Sequence, residues 1–182
     1  LMNEFSDVTT VFLPELSPCT DISLLNRVPA RVHTRLAALF YSADITAEMA
    51  KVILKRMRFD RHTIRDVCLL LSYRISETMT ENQYLLHILN FLGSELVFDY
   101  LAIVEADSLT ILRAKELLKQ NPCYKVSMLA VDGDDLLALG IPAGPEIGFA
   151  MNELLNAVMN GECINEKDTL VSYLMATKEP VQ

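Results

Sequence analysis

No glycine occurs before Gly93, and the other five fall between Gly133 and Gly161. From Pro29 to Gly93 the chain therefore lacks both residues that most readily interrupt a helix. Its apolar residues recur at helical spacing. Val32, Leu36, Leu39 and Phe40 share one face of a helix that opens near Pro29. Thr46 is placed to cap a second helix, with Met49, Ile53, Leu54 and Met57 as its stripe. Ile64, Val67, Cys68 and Leu71 carry the pattern through residues 60–75. Residues 80–107 read as two helices broken near Gly93–Ser94, and residues 108–121 as one more, stopped by Pro122. The expectation is an all-α fold with neither strand nor repeat. A multi-helix body occupies residues 1–122 and a small helical tail residues 123–182, divided at Pro122–Cys123.

With 182 residues, of which 51% are hydrophobic, the chain can bury a core. A net charge of −8 excludes a nucleic-acid binder held by bulk charge alone. The charge is uneven, however. Residues 27–74 hold ten Lys/Arg against four Asp/Glu, and residues 128–182 hold two Lys against nine acids. Lys51, Lys55 and Arg58 stand at i, i+4, i+7, with Arg61, Arg65 and Arg74 following. Such a row suits a phosphate backbone, which positions RNA without reading its bases. An ordinary solvated helix face is the competing reading.

Cys19, Cys68, Cys123 and Cys163 are scattered with no CxxC, as expected of reduced thiols in a cytoplasmic protein. His33, His62 and His87 lack a carboxylate pattern that would make a metal site. Neither a metal site nor a catalytic residue is assigned. No segment reads as long and apolar enough to span a membrane, and no signal peptide is visible.

The stretch "LGIPAGPEIG" (139–148) concentrates three glycines and two prolines. It reads as a helix–turn–helix corner. Asp134 is the expected cap of a short helix, Asp135 suits its positive end, and Gly140 supplies a left-handed stop. Asp132 and Asp134 form a D-x-D that fits helix capping better than metal binding. Pro145 opens the next helix, Ile147, Met151, Leu154, Leu155 and Val158 form its stripe, and Gly161 ends it. Gly148, inside the first turn, implies close approach of another backbone, either the preceding helix or a sugar-phosphate. Free N–H groups at the same helix start suit a phosphate. Gly144 and Gly148 thus join the basic residues as candidate RNA contacts. In the plainer reading the glycines only let two helices pack closely.

The run "LAVDGDDLLALGIPAGPEIGFAMNELLNAVMNGECINEKDTLVSYL" (129–174) resembles the C-terminal part of bacterial CCA-adding tRNA nucleotidyltransferases. The resemblance rests on Gly133, Leu136, Gly140, Ile141, Gly144, Ile147, Gly148, Leu154, Leu155, Val158, Gly161 and Asn165. "RLAALF" (35–40), residues 45–71 and "FDYLAIVEAD" (98–107) resemble the body region of the same enzymes. The resemblance implies a degenerate HD-like body, tRNA as the partner, and a catalytic head in the same full-length protein. That head would carry paired aspartates, Mg²⁺, CTP and ATP. Its motif has no counterpart here, so this chain is expected to hold no cofactor and to transfer no nucleotide alone. Two other readings remain open. One is an HD-type metal-dependent phosphohydrolase, although no adjacent His-Asp pair occurs. The other is a helical module that binds protein or forms a homodimer through its apolar helices.

Overall fold

The computed structural model describes residues 12–16, 22–73 and 79–178. The readings made at Cys19 and Arg74 lie outside them. Among the described residues there are eight α-helices, two 3₁₀ turns and no strand. The helices are α1 (Val32–Ser42), α2 (Ala47–Arg56), α3 (Arg61–Ser72), α4 (Glu81–Ile103), α5 (Ser108–Lys119), α6 (Gly133–Ala138), α7 (Pro145–Asn160) and α8 (Lys167–Lys178). The all-α expectation holds.

The expected break in α4 falls at Gly93, whose φ of 77° and ψ of 171° are not helical. The membrane expectation needs correcting. α4 is 23 residues long and holds an 18-residue window of mean hydropathy 1.3, enough for a span by length and composition. Half of that window is buried in the protein, and Gly93 leaves two pieces, each well short of the roughly 20 residues a span requires.

The chain forms two compact units. One comprises residues up to Ile75 together with Phe91–Leu112, and the other Ser76–Asn90 together with Arg113 onward. Two of the dividing points fall within α4 and α5.

In the first unit α1 and α2 both pack on α3. Small side chains set that packing: Ala37, Ala38 and Ala50 are fully buried, beside Phe40, Ile53, Leu54 and Val67. The expected stripes are therefore rotated. Val32, Met49 and Met57 face solvent, because alanines occupy the inward positions and let the helices approach more closely than longer side chains would. Thr34 is also fully buried, and its Oγ1 has no hydrogen-bond partner among the described residues.

Three helix ends in this unit share one geometry. Asp44, Arg58 and Glu105 adopt φ of 53°, 60° and 53°. Each is followed by a residue whose N–H reaches back five positions, Ile45 to Phe40, Phe59 to Leu54 and Ala106 to Leu101. This is the Schellman stop, with a charged residue where glycine is usual.

The second unit has its core in Val131, Leu136, Ile141, Ala150, Met151, Leu154, Leu170 and Leu174. Asp132, not Asp134, caps α6. Its Oδ1 accepts the N–H groups of Asp134 and Asp135 at 3.0 Å, and the Asp132 N–H donates to Asp135 Oδ2 at 3.2 Å. Asp132 wins because this reciprocal capping box satisfies donors at both ends of the turn. The Lys167 ammonium bonds Asp135 and holds its carboxyl below the usual carboxylate range. Asn165, one of the positions that carry the resemblance, fixes the entry to α6. Its amide donates to the Met128 carbonyl at 2.9 Å and its oxygen accepts the Ala130 N–H at 2.8 Å.

The glycine corner forms as expected in three respects. Gly140 has φ 83° and stops α6, with Ile141 N–H returning to the Leu136 carbonyl. Gly144 precedes Pro145 at φ 136°, ψ −152°, and Gly161 ends α7 in the left-handed region. Gly148 differs. A Cβ there would meet nothing within 4 Å, and the residue is exposed. The preceding helix does not pack on it, since the corner is opened by Gly144 and α6 approaches α7 through buried Leu136 and partly buried Ile147 instead.

Candidate nucleic-acid interface

The α2–α3 hairpin is defined by its caps. Thr46 Oγ1 accepts the Met49 N–H at 3.3 Å, as expected. Asp60 caps α3 by accepting the His62 and Thr63 N–H groups at 2.9 and 3.0 Å. The Thr63 hydroxyl adds a bond to the same carboxylate, which lies below its usual range as a result. Between these caps Arg58 closes α2, so only four residues separate the helices.

This hairpin brings together four of the six basic residues singled out in the sequence, Arg74 lying outside the described residues. Lys51 and Lys55 on α2 and Arg61 and Arg65 on α3 line one groove of about 500 Å³, and all four are exposed. Arg58 is not among its lining residues. The i, i+4, i+7 row assumed that α2 continues through Arg58, whereas the helix ends at Arg56 and Arg58 turns left-handed. Gly144 and Gly148 belong to the other unit.

Among the described residues Lys51, Lys55 and Arg61 enter no ion pair, while Arg65 Nη2 lies 2.8 Å from Asp66 Oδ1. Arg56, on the same helix, is occupied elsewhere by Glu15 at 2.5 and 2.8 Å. Arg61 is the first residue of α3, at the helix end where the dipole disfavours a cation. Its charge there is a local cost that an anionic ligand would offset. Between the cations, Ile64, Cys68 and Leu69 are half-buried. Cys68 Sγ donates to the Ala47 carbonyl at 3.5 Å. Burial pushes this thiol up, partly opposed by the Lys51 charge, so it stays protonated and is a poor nucleophile.

A second cluster has no local signature in the sequence. Asp99 is 1% exposed, and its Oδ2 accepts from Arg31 Nη1 at 3.1 Å and meets His33 Nε2 at 3.2 Å. No adjacent His-Asp pair exists in the sequence, yet His33 and Asp99 pair across 66 positions. Hydrogen bonding within the fold accounts for this buried charge. Among the described residues no group of three or more His, Cys, Asp or Glu is arranged to hold a metal.

An all-helical scaffold with a cationic surface groove is thus the class that fold and site define. Residues 31–174 match the family of tRNA nucleotidyltransferase domain 2, and the chain belongs to that family. Its fold is similar to that of the Bacillus stearothermophilus CCA-adding enzyme, solved in complex with CTP, at a TM-score of 0.64 and 22% identity. The match covers 81% of this chain and 38% of that one, so this chain spans well under half of the enzyme's length. No curated protein matches the chain.

Proposed function

We propose that this chain is the tRNA-holding helical part of a CCA-adding nucleotidyltransferase in the cytoplasm. It positions the tRNA 3′ end for a catalytic head of the same full-length protein, where Mg²⁺, CTP and ATP would act. The observation that carries the reading is the α2–α3 groove. In a chain of net charge −8, four cations converge there and three of them lack a carboxylate partner among the described residues. Phosphates are the ligand such a groove attracts. Family membership and the helical fold support tRNA as the source of those phosphates.

The test is binding of a tRNA transcript, followed over a range of salt concentrations. Replacing Lys51, Lys55, Arg61 and Arg65 together by Ala is expected to weaken binding and to lower the log–log salt slope by roughly 0.7–0.9 for each phosphate that is no longer neutralised. Arg58→Ala is expected to change it less. An unchanged slope in the fourfold variant returns the groove to an ordinary solvated face. Incubating the chain with end-trimmed tRNA, CTP, ATP and Mg²⁺ is expected to give no extension.

A further inference from the structure

We propose that the α2–α3 groove docks α7 of a second copy of this chain, with Phe149 on the groove's apolar floor and Glu146 and Glu153 against its cationic rim. The proposal does not depend on the RNA reading.

The groove has two chemistries. Its exposed edge is cationic at Lys51, Lys55, Arg61 and Arg65, and its half-buried floor is Ile64, Cys68 and Leu69. The Cys68 thiol adds to the apolar character of the floor, since its hydrogen is committed to the Ala47 carbonyl and a protonated thiol behaves as a small hydrophobe. Phosphates complement the edge alone. A partner that fills the groove brings anions and apolar surface together.

The outer face of α7 carries both. Phe149 is 73% exposed, the most exposed large apolar side chain among the described residues. Glu146 and Glu153 are exposed too, three positions before it and four after. The three share one side of the helix, with the ring between two carboxylates whose Cα atoms lie about 10 Å apart along the axis. Neither carboxylate enters an ion pair among the described residues. The packing of α7 within its own unit leaves this side free, because Ala150, Met151, Leu154 and Leu155 make the core contacts from the other. Helices with anchors at such spacing are a recurring occupant of apolar grooves.

The charge of the whole chain points the same way. Residues 27–74 hold ten Lys/Arg against four Asp/Glu, and residues 128–182 two Lys against nine acids. Two copies attract where the basic region of one meets the acidic region of the other, and like regions repel. Reciprocal exchange of α7 faces fills both grooves and closes at a dimer. The second copy's carboxylates take the cations that phosphates would use, so self-association and RNA binding compete.

The experiment measures the mass of the unaltered chain by sedimentation equilibrium, without RNA, at about 50 mM and about 500 mM salt. A concentration-dependent dimer is expected at the lower salt and a weaker one at the higher. Phe149→Ser is expected to raise the dimer dissociation constant about tenfold or more, with an unaltered helical circular dichroism spectrum. Charge exchange then assigns the two faces. One variant carries Glu in place of Lys51, Lys55, Arg61 and Arg65, and another carries Glu146→Lys and Glu153→Lys. Each is expected to be monomeric alone, and an equal mixture of the two is expected to pair, because every groove then meets a face of opposite charge. A monomer at every concentration of the unaltered chain overturns the proposal, and this measurement stands even if a variant fails to fold. A dimer that Phe149→Ser and both charge variants leave intact overturns it as well, and so does a mixture that stays monomeric.

Discussion

The two compact units stop their helices in the same way with different residues. In the first, Asp44, Arg58 and Glu105 take the left-handed position, and in the second Gly140 and Gly161 do, with Asn121 after α5, at φ 49°, the exception. The hydrogen bond that follows is the same, Ile45 to Phe40 in one and Ile141 to Leu136 in the other. An L-residue at such a position costs roughly 1–2 kcal/mol. The first unit tolerates that cost because the following residue is held in place: Ile45 is 5% exposed and its N–H is bonded. The lack of glycine before Gly93 therefore does not mean a lack of tight turns. It means that packing enforces them.

Substitutions at these stops can break or sharpen the contrast. Gly144→Ala should be the most damaging. Its φ of 136° and ψ of −152° lie in a region that other residues rarely enter, at a cost of about 1–3 kcal/mol in thermal or denaturant unfolding. Gly140→Ala, at φ 83° with open space around a new Cβ, should cost about 1 kcal/mol through backbone strain alone. The mirror experiment is Asp44→Gly. It relieves a strained φ and removes an acid from the unfavourable end of α1, so a gain of about 0.5–1 kcal/mol is expected. If Asp44→Gly destabilises, the charged stops are not tolerated costs but contribute bonds of their own. Gly148→Ala should give the smallest change, a stabilisation of at most ~1 kcal/mol, because helical φ/ψ and empty surroundings leave only propensity to act. A loss of stability on melting would restore the close-approach reading of that glycine.

Local chemistry was legible in the sequence at most self-contained positions, the cap of α6 being the exception, where Asp134 was expected and Asp132 caps. Thr46 as a cap, Pro145 at the first turn, the break at Gly93 and the stop at Gly161 each depend on a few neighbouring residues. The stripe of α7 was readable too, since Met151, Leu154 and Leu155 are all buried. What depended on distant packing was not. Met49 and Met57 look like core residues, yet they are displaced by Ala47 and Ala50, whose small size matters only against α3. Arg58 fell out of its row because nothing in its own identity announces a left-handed turn. The buried Asp99 is supported by Arg31 and His33 from 68 and 66 positions away, a separation no local pattern encodes. Four of the five described basic candidates still converge, because each is placed by a well-capped helix.

The interleaved division of the chain bears on the order of events during synthesis. The first unit cannot close when Ile75 leaves the ribosome, since it still lacks Phe91–Leu112. Residues 76–90 are made before that closure but belong with partners beyond Arg113. They must stay uncommitted while the first unit forms around the segment that follows them. Leu85, Ile88 and Leu89, fully or almost fully buried in the finished fold, wait for the rest of their unit until residues from Arg113 onward are made, and for that interval they are apolar surface a chaperone can find.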